Sequence, residues 1–270
     1  MDNKNLQITN HDFLIYRDSN NDIKVSVMLI KNDIWLTQNL IAELFGVGRS
    51  TITEHINNIG EYPSENDIMK ALTDRHGIER QKKFNAAKVC ICGLGGLGSN
   101  IAIMLARAGI GRLHIIDFDR VDITNLNRQQ YRVAQLGKFK TEALKETLSE
   151  IMPYVEVVYD TVRIDDVNMY ELLKDDDIIC EAFDNPYAKA MLVNGVLEHF
   201  PEKYLVAASG MAGMGSPNDI RTRRLSAHFY LCGDGVSDVN DDIGLVAARV
   251  MICAGHPAHT VLRLISGELK

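Results

Sequence analysis

The chain has 270 residues, 46% of them hydrophobic and 24% charged, with a formal net charge of −7. That composition is globular, and the acidic balance argues against a mainly electrostatic nucleic-acid binder, whose affinity comes from clustered Lys and Arg. No apolar run is long enough to span a bilayer. The polar start MDNKNLQITNHD lacks a signal-peptide core, so the chain reads as cytoplasmic.

Residues 1–60 differ from the rest. Phe13-Leu14-Ile15-Tyr16, the apolar run at 24–30 and Asp33-Ile34-Trp35 are short strand-like stretches, with a turn cluster at 18–22. Thr37 can cap a helix carrying Leu40, Ile41, Leu44 and Phe45. Gly46-Val47-Gly48 makes a turn, and a helix from Ser50 puts Ile52, Ile56 and Ile59 on one face. Two short amphipathic helices around a glycine turn form a helix-turn-helix-like pattern. Its second helix could present Arg49, Thr51, Thr53 and His55 to DNA, but Glu54 offsets Arg49 and few phosphate contacts are available. Packing or dimerisation is the alternative use of such a hairpin.

Gly60-Glu61-Tyr62-Pro63 reads as a linker, which divides the chain into a module of residues 1–60 and a domain of residues 61–270. Ser64 and Asp67 fit a capping pattern for a helix through Leu72. Another helical piece, 79–86, leads into Val89-Cys90-Ile91-Cys92, an apolar strand. Cys90 and Cys92 point to one face and read as small core residues. The five cysteines show no framework spacing and no Cys-x-x-Cys pair, so reduced thiols and no structural zinc are expected.

After that strand comes Gly93-Leu94-Gly95-Gly96-Leu97-Gly98, then a helix with Ile101, Met104, Leu105 and Ala108 on one face. Strand, glycine turn and helix is the context of a phosphate-binding turn. Ser99 or Asn100 is the candidate cap of that helix. The second strand runs to Asp117. Further on, a helix ends near Met152, 155–164 alternates like a strand, 169–173 is a short helix and 177–184 is a buried strand ending on Asp184. A helix over 185–199 and a strand over 204–209 follow. Strands alternating with helices imply parallel pairing. The stretch 220–232 reads as an antiparallel extension, and 245–265 as a helix kinked at Pro257. The expected fold is α/β: a Rossmann-like, mostly parallel sheet with helices on both faces, plus the small N-terminal α+β module.

A glycine turn alone points first to a dinucleotide. Asp117, 19 residues after Gly98, stands where a carboxylate meets ribose hydroxyls. Beyond it lie Asn125, Asn127, Arg128, Gln129 and Lys140, a concentration of donors and cations suited to a triphosphate rather than to a nicotinamide slot. Asp184, at the end of a parallel strand, can hold Mg²⁺ against phosphate oxygens. Taken singly, Asp117 and Arg128 also read as a surface ion pair, Lys140 as a solvated helix charge and Asp184 as a helix cap.

Together, Gly93-x-Gly95-Gly96-x-Gly98, Asp117-x-Asp119-x-Val121, Asn125-Leu126-Asn127-Arg128-Gln129, Lys140 and Asp184-Asn185 resemble the ThiF/MoeB family, relatives of the ubiquitin-activating enzymes. The missing zinc cysteines and the ending Tyr230-Leu231-Cys232-Gly233-Asp234 are similar to the shorter ThiF branch linked to thiamine synthesis. The resemblance implies an adenylyltransferase that uses ATP and Mg²⁺ to activate the C-terminal glycine of a ThiS-like, ubiquitin-like sulfur carrier, working as a homodimer. It implies that Gly96 and its neighbours approach the nucleotide and Asp117 binds ribose. Asn125, Asn127 and Arg128 would contact phosphates, Lys140 would meet charge on the α-phosphate, Asp184 would hold the metal and Asn185 would border it. It also implies an arginine near the start of the domain, for which Arg75 is preferred over Arg80, and in some members a cysteine nucleophile, for which Cys232 is the candidate. The segment 35–56 resembles the N-terminal region of RhuM-type proteins. The competing classes are an NAD-dependent oxidoreductase and a nucleotide-sensing DNA-binding regulator.

Overall fold

The structure is a computed structural model, and it describes residues 13–17, 23–30, 33–35, 37–58, 63–238 and 244–269. The chain divides into two compact units, Met1–Ser64 and Glu65–Lys270. In the first, β1 (Phe13–Arg17), β2 (Ile23–Ile30) and β3 (Asp33–Trp35) form an antiparallel sheet in that order. Then come α1 (Gln38–Phe45) and α2 (Arg49–Asn58). Gly46 turns the chain between them with φ 64°, a region glycine enters at no steric cost. Ala42 and Ile52 are buried, and the Thr53 hydroxyl donates to Gln38 Oε1 at 3.1 Å, tying the two helices. The turn read at 18–22 and the linker residues 60–62 lie outside the described residues.

The second unit opens with α3 (Glu65–His76) and α4 (Ile78–Ala86). An alternating series follows: β4 (Lys88–Cys92), α5 (Gly96–Arg107), β5 (Arg112–Ile116), α6 (Lys140–Ile151), β6 (Glu156–Asp160), α7 (Met169–Leu173), β7 (Ile178–Glu181), α8 (Pro186–His199) and β8 (Tyr204–Ala208). It ends with β9 (Arg221–Arg224), β10 (Phe229–Gly233) and α9 (Ala247–Ser266). The sheet order is β6-β5-β4-β7-β8-β10-β9. All neighbours pair in parallel except β9, which runs antiparallel to β10 at the edge. The expected antiparallel extension is therefore one strand, because β10 joins β8 in parallel.

Period-2 alternation sorts the strand residues between two cores. Val89 and Ile91 join the cluster under α5, α6 and α9, while Cys90 and Cys92 join the cluster under α7 and α8. All five cysteines are free and buried. Going outward from β4, the chain passes β5 and β6 on one side and β7 and β8 on the other. The order reverses between β4 and β7, and ligands of such sheets bind in the crevice outside the strand ends at that point. α9 carries Pro257 within it and closes on Gly267, whose φ of 83° makes a left-handed cap. No described helix is long and apolar enough to cross a membrane.

Three local expectations are corrected. The strand read over 177–184 stops at Glu181, because the chain must turn to start α8. The strand read over 155–164 shortens to Glu156–Asp160. Neither Ser99 nor Asn100 caps α5. Both lie inside it, donating back to the carbonyls of Gly95 and Gly96 at 2.7 and 2.6 Å.

Candidate active site

The site starts from the glycine turn between β4 and α5. Gly93 has φ 91°, and a Cβ there would stand 2.8 Å from the Phe183 ring and 2.9 Å from the Ala182 carbonyl. A Cβ on Gly98 would lie 1.8 Å from the Gly93 carbonyl oxygen. Both glycines are demanded by backbone packing. Gly95 is different: it is the N-cap of α5 without a side-chain hydrogen bond, and a Cβ there would meet only Gln129 Nε2, at 3.8 Å. A helix start left free of a capping side chain, facing glycine, favours an anion through its amides and its dipole.

Asp117 fastens this turn. Its carboxylate accepts the Leu94 N–H at 2.6 Å and the Asp119 N–H at 2.8 Å. Burial raises its pKa, offset by Lys140 and by those two amides. Each oxygen keeps a second lone pair for a ribose hydroxyl. Lys140 begins α6 and is 6% exposed, and its Nζ donates to Asp119 Oδ2 at 2.8 Å. It is therefore a fixed buried cation rather than a solvated helix charge, and it sits beside two carboxylates.

Residues 122–131 supply the facing wall. Asp122 and Asn125 close a capping box on the short 3₁₀ turn Ile123–Asn125, so Asn125 shapes the segment through its side chain. Asn127 Nδ2 donates to the Leu245 carbonyl at 3.1 Å. Arg128 lays its stem against Gly96, with Cγ 3.5 Å from the position a Cβ would take. Its guanidinium donates to the Thr124 carbonyl and to Asn127 Oδ1, and among the described residues it pairs with no carboxylate. The Asp117–Arg128 ion pair entertained from sequence does not form. Gln129 Oε1 is buried with no hydrogen-bond partner among the described residues, an orphaned acceptor beside Gly95. Tyr131, which sequence reasoning did not single out, donates its hydroxyl to the Leu94 carbonyl at 2.8 Å.

Across the crevice, Glu181 ends β7 and is 1% exposed. Burial raises its pKa against the pull of Lys189. Lys189 Nζ reaches both Glu181 and the Phe183 carbonyl, at 2.8 and 2.9 Å, which holds the turn before α8. The cap of α8 is Asn185, accepting from Tyr187 and Ala188 N–H at 2.9 and 3.0 Å. Asp184 is thus not the cap. It is exposed and forms no ion pair among the described residues, and it is available to a cation at the mouth of the crevice.

Three candidates do not join the site. Arg75 is exposed in the last turn of α3. α3 packs where α5 ends, since Leu72 lies 2.7 Å from a Gly109 Cβ, so within this chain Arg75 is remote from the glycine turn. Arg80 is bonded to Glu268 at 2.8 Å. Cys232 is fully buried, its Sγ 3.5 Å from the Thr222 hydroxyl, and burial pushes the thiol's pKa up. Those are properties of a core residue and the reverse of an activated nucleophile.

Two buried polar groups were not legible as pairs. Arg249 donates to Asp234 Oδ2 at 2.6 Å and to the carbonyls of Ala212, Gly215 and Ser216 at 2.7–3.0 Å, fixing the loop after β8. Its neighbour Val250 packs against Gly96, so the start of α9 borders the glycine turn. Behind the sheet, ligand atoms of Cys90, His114 and Asp176 lie within 4.8 Å of one another. The His114 ring nitrogens face Asp176 at 2.7 Å and Asp160 at 2.9 Å, one imidazole between two carboxylates, and the other oxygen of Asp176, Oδ1, is buried without a hydrogen-bond partner among the described residues.

A doubly wound sheet gathers its glycine turn, fastening acid, buried lysine and an arginine without a carboxylate partner at the switch point, the arrangement of a candidate nucleotide-phosphate site. The particular family is the ThiF family, whose model matches residues 68–270, and the chain belongs to it. A curated relative, "Adenylyltransferase and sulfurtransferase UBA4" of Kluyveromyces lactis, is 30% identical over 178 residues, 63% of this chain and 36% of the relative. The match therefore spans about a third of that protein. Among solved structures, E. coli tRNA N6-threonylcarbamoyladenosine dehydratase, TcdA, in complex with ATP superposes with a TM-score of 0.69 at 20% identity, covering 77% of this chain and 98% of its own. E. coli MccB with AMPCPP and selenomethionine MccA has a TM-score of 0.56 at 21% identity, covering 95% of this chain and 87% of its own. At such identities the likeness is one of fold.

Proposed function

We propose that the protein is an ATP-dependent adenylyltransferase that activates the C-terminal glycine of a ubiquitin-like sulfur carrier, a ThiS-like one serving thiazole sulfur transfer, and that it acts in the cytoplasm as a homodimer. One observation carries the reading: a lysine fixed by Asp119 and an arginine without a carboxylate flank a helix start that has glycine and no capping side chain at its N-cap, with room at Gly95 for a phosphate. In this reading ATP lies with its ribose on Asp117 and its phosphates along Gly95, Gly96, Asn127 and Arg128. The carrier's terminal carboxylate attacks the α-phosphorus, the bond from that phosphorus to the bridging oxygen breaks, and pyrophosphate leaves. Charge growing on the α-phosphate meets Lys140 and Arg128, already positioned and partly shielded from water. Asp184, with Asn185 bordering it as the cap of α8, fits a Mg²⁺ ion, which binds through few carboxylates plus phosphate oxygens; bound there, it would offset charge on the leaving pyrophosphate. Arg75, remote in its own chain, is read as acting in a partner's site. Residues 1–60 form a separate module and 61–270 the enzymatic domain.

The test is ATP–pyrophosphate exchange with a folded carrier ending in Gly-Gly. Carrier-dependent exchange supports the reading, and its absence with every such carrier counts against it.

A further inference from the structure

Far from the glycine turn, a cavity of about 550 Å³ opens between the edge of the sheet and α9. Cations line it, and no Asp or Glu is among its lining residues, although the chain as a whole carries a net charge of −7. Two elements contribute in register. On β9, Thr222 and Arg224 are two residues apart and share a face. They pair with Cys232 and Tyr230 of β10, and Cys232 belongs to the core under α9, so this face looks toward the helix. On α9, His256, His259 and Arg263 recur at helical spacing and turn one stripe back toward the strands. The Thr222 hydroxyl and His256 Nδ1 are 3.1 Å apart, which joins the two walls. Arg224 is steadied by the Ser226 and Ala227 carbonyls, each at 3.0 Å, with its guanidinium 5.8 Å from the Tyr230 ring centroid.

The second observation is Tyr230 itself. It lines this cavity and is 3% exposed, and its hydroxyl is buried with no hydrogen-bond partner among the described residues. A buried hydroxyl left unpaired is unfavourable and calls for a partner. Arg263 forms no ion pair among the described residues. Val250 touches the glycine turn, and Arg263 lies thirteen residues further along the same helix, about 20 Å away. The cavity is therefore separate from the nucleotide site.

We propose that this cavity is a second anion site that takes a phosphate group, with Arg263 supplying charge, Arg263, His256 and His259 supplying N–H donors, and the Tyr230 and Thr222 hydroxyls completing its hydrogen bonds. The full chain, labelled with ¹⁵N-histidine in phosphate-free buffer at low ionic strength, is titrated with inorganic phosphate and, separately, with a short single-stranded RNA. The site predicts saturable shifts of the His256 and His259 ring resonances. RNA acting at lower concentration, with steep salt dependence, would make a phosphodiester backbone the natural source; inorganic phosphate acting alone would make it a small phosphorylated ligand. Arg263→Gln should weaken phosphate binding about tenfold, the loss of one charge-assisted contact. Tyr230→Phe should weaken it without lowering Tm, because the hydroxyl it removes has no partner in the fold. ATP binding stays unchanged in both variants. The proposal is overturned by no saturable shift in the parent protein, by phosphate binding in both variants equal to the parent's, or by shifts that follow protein concentration alone and so report a second copy on this face.

Discussion

Gly98→Ala separates packing glycines from ligand glycines in the turn. A Cβ at position 98 would stand 1.8 Å from the Gly93 carbonyl oxygen and 2.9 Å from its carbon. Carbon–oxygen contacts settle at about 3.3 Å, so the end of β4 and the start of α5 must part by about 1.5 Å. Both colliding atoms are backbone, and neither can rotate away. Overpacking of this kind costs about 1–3 kcal/mol, and the rigidity puts this case at the upper end. In a unit of this size each kcal/mol is about 2–4 °C of Tm, so a fall of about 6–12 °C is expected. The helix start also leaves its place by more than an ångström, enough to lower turnover on the order of 10²-fold. Gly95→Ala is the control: its Cβ meets only Gln129 Nε2, at 3.8 Å. It should hold Tm within about 2 °C while weakening ATP, since glycine there lets phosphate approach. Scanning calorimetry and ATP titration on both variants make the comparison. Unchanged Tm and ATP affinity in Gly98→Ala, or equal destabilisation by the two, would refute the reasoning.

Four further outcomes are expected. Lys140→Ala should lower pyrophosphate exchange on the order of 10²–10³-fold with far-ultraviolet circular dichroism unchanged, because it removes a fixed cation from the developing charge. Arg249→Ala breaks an ion pair whose side chains are 7% and 4% exposed, and urea unfolding should report a loss of about 3–5 kcal/mol. Burial works against ionised Asp234, but its hydrogen bonds from Ser237, Val236 and Arg249 depress its pKa to about 2. Its contribution is therefore present above the ordinary value of 3.8 and lost as pH falls toward 2. Burial lowers the His114 pKa, yet Asp176 and Asp160 outweigh it and the net shift is upward. That stabilisation is complete below the ordinary value of 6.5 and fades as pH rises through the folded value. His114→Gln should flatten the slope of stability against pH above neutrality.

What the sequence made legible was what local spacing encodes. The glycine turn, the strand–helix alternation and the acid closing the second strand follow from periods and breakers within about 40 residues. The end of β7 was misplaced because Ala182 and Phe183 continue its apolar run, while the turn is imposed by close packing against Gly93. Gly95 rather than Ser99 caps α5 because the capping position falls at the second glycine, too early for either polar residue. The buried pairs were hidden for another reason. His114 meets Asp176 across 62 positions, and Arg249 meets Asp234 across 15. Cys232 looked reactive from its residue type, but reactivity depends on exposure, which α9 removes from a distance in sequence.

The central claim is that one ATP spans the glycine turn, Asp117, Arg128 and Lys140 together. Parallel equilibrium titrations with ATP and with NADH test it most directly, on the parent protein and on Arg128→Ala with Lys140→Ala combined. The structure predicts saturable ATP binding that the double variant loses by at least about 100-fold, two charge-assisted contacts at about tenfold each. Tight NADH binding without ATP binding, or ATP affinity unchanged in the double variant, would contradict it.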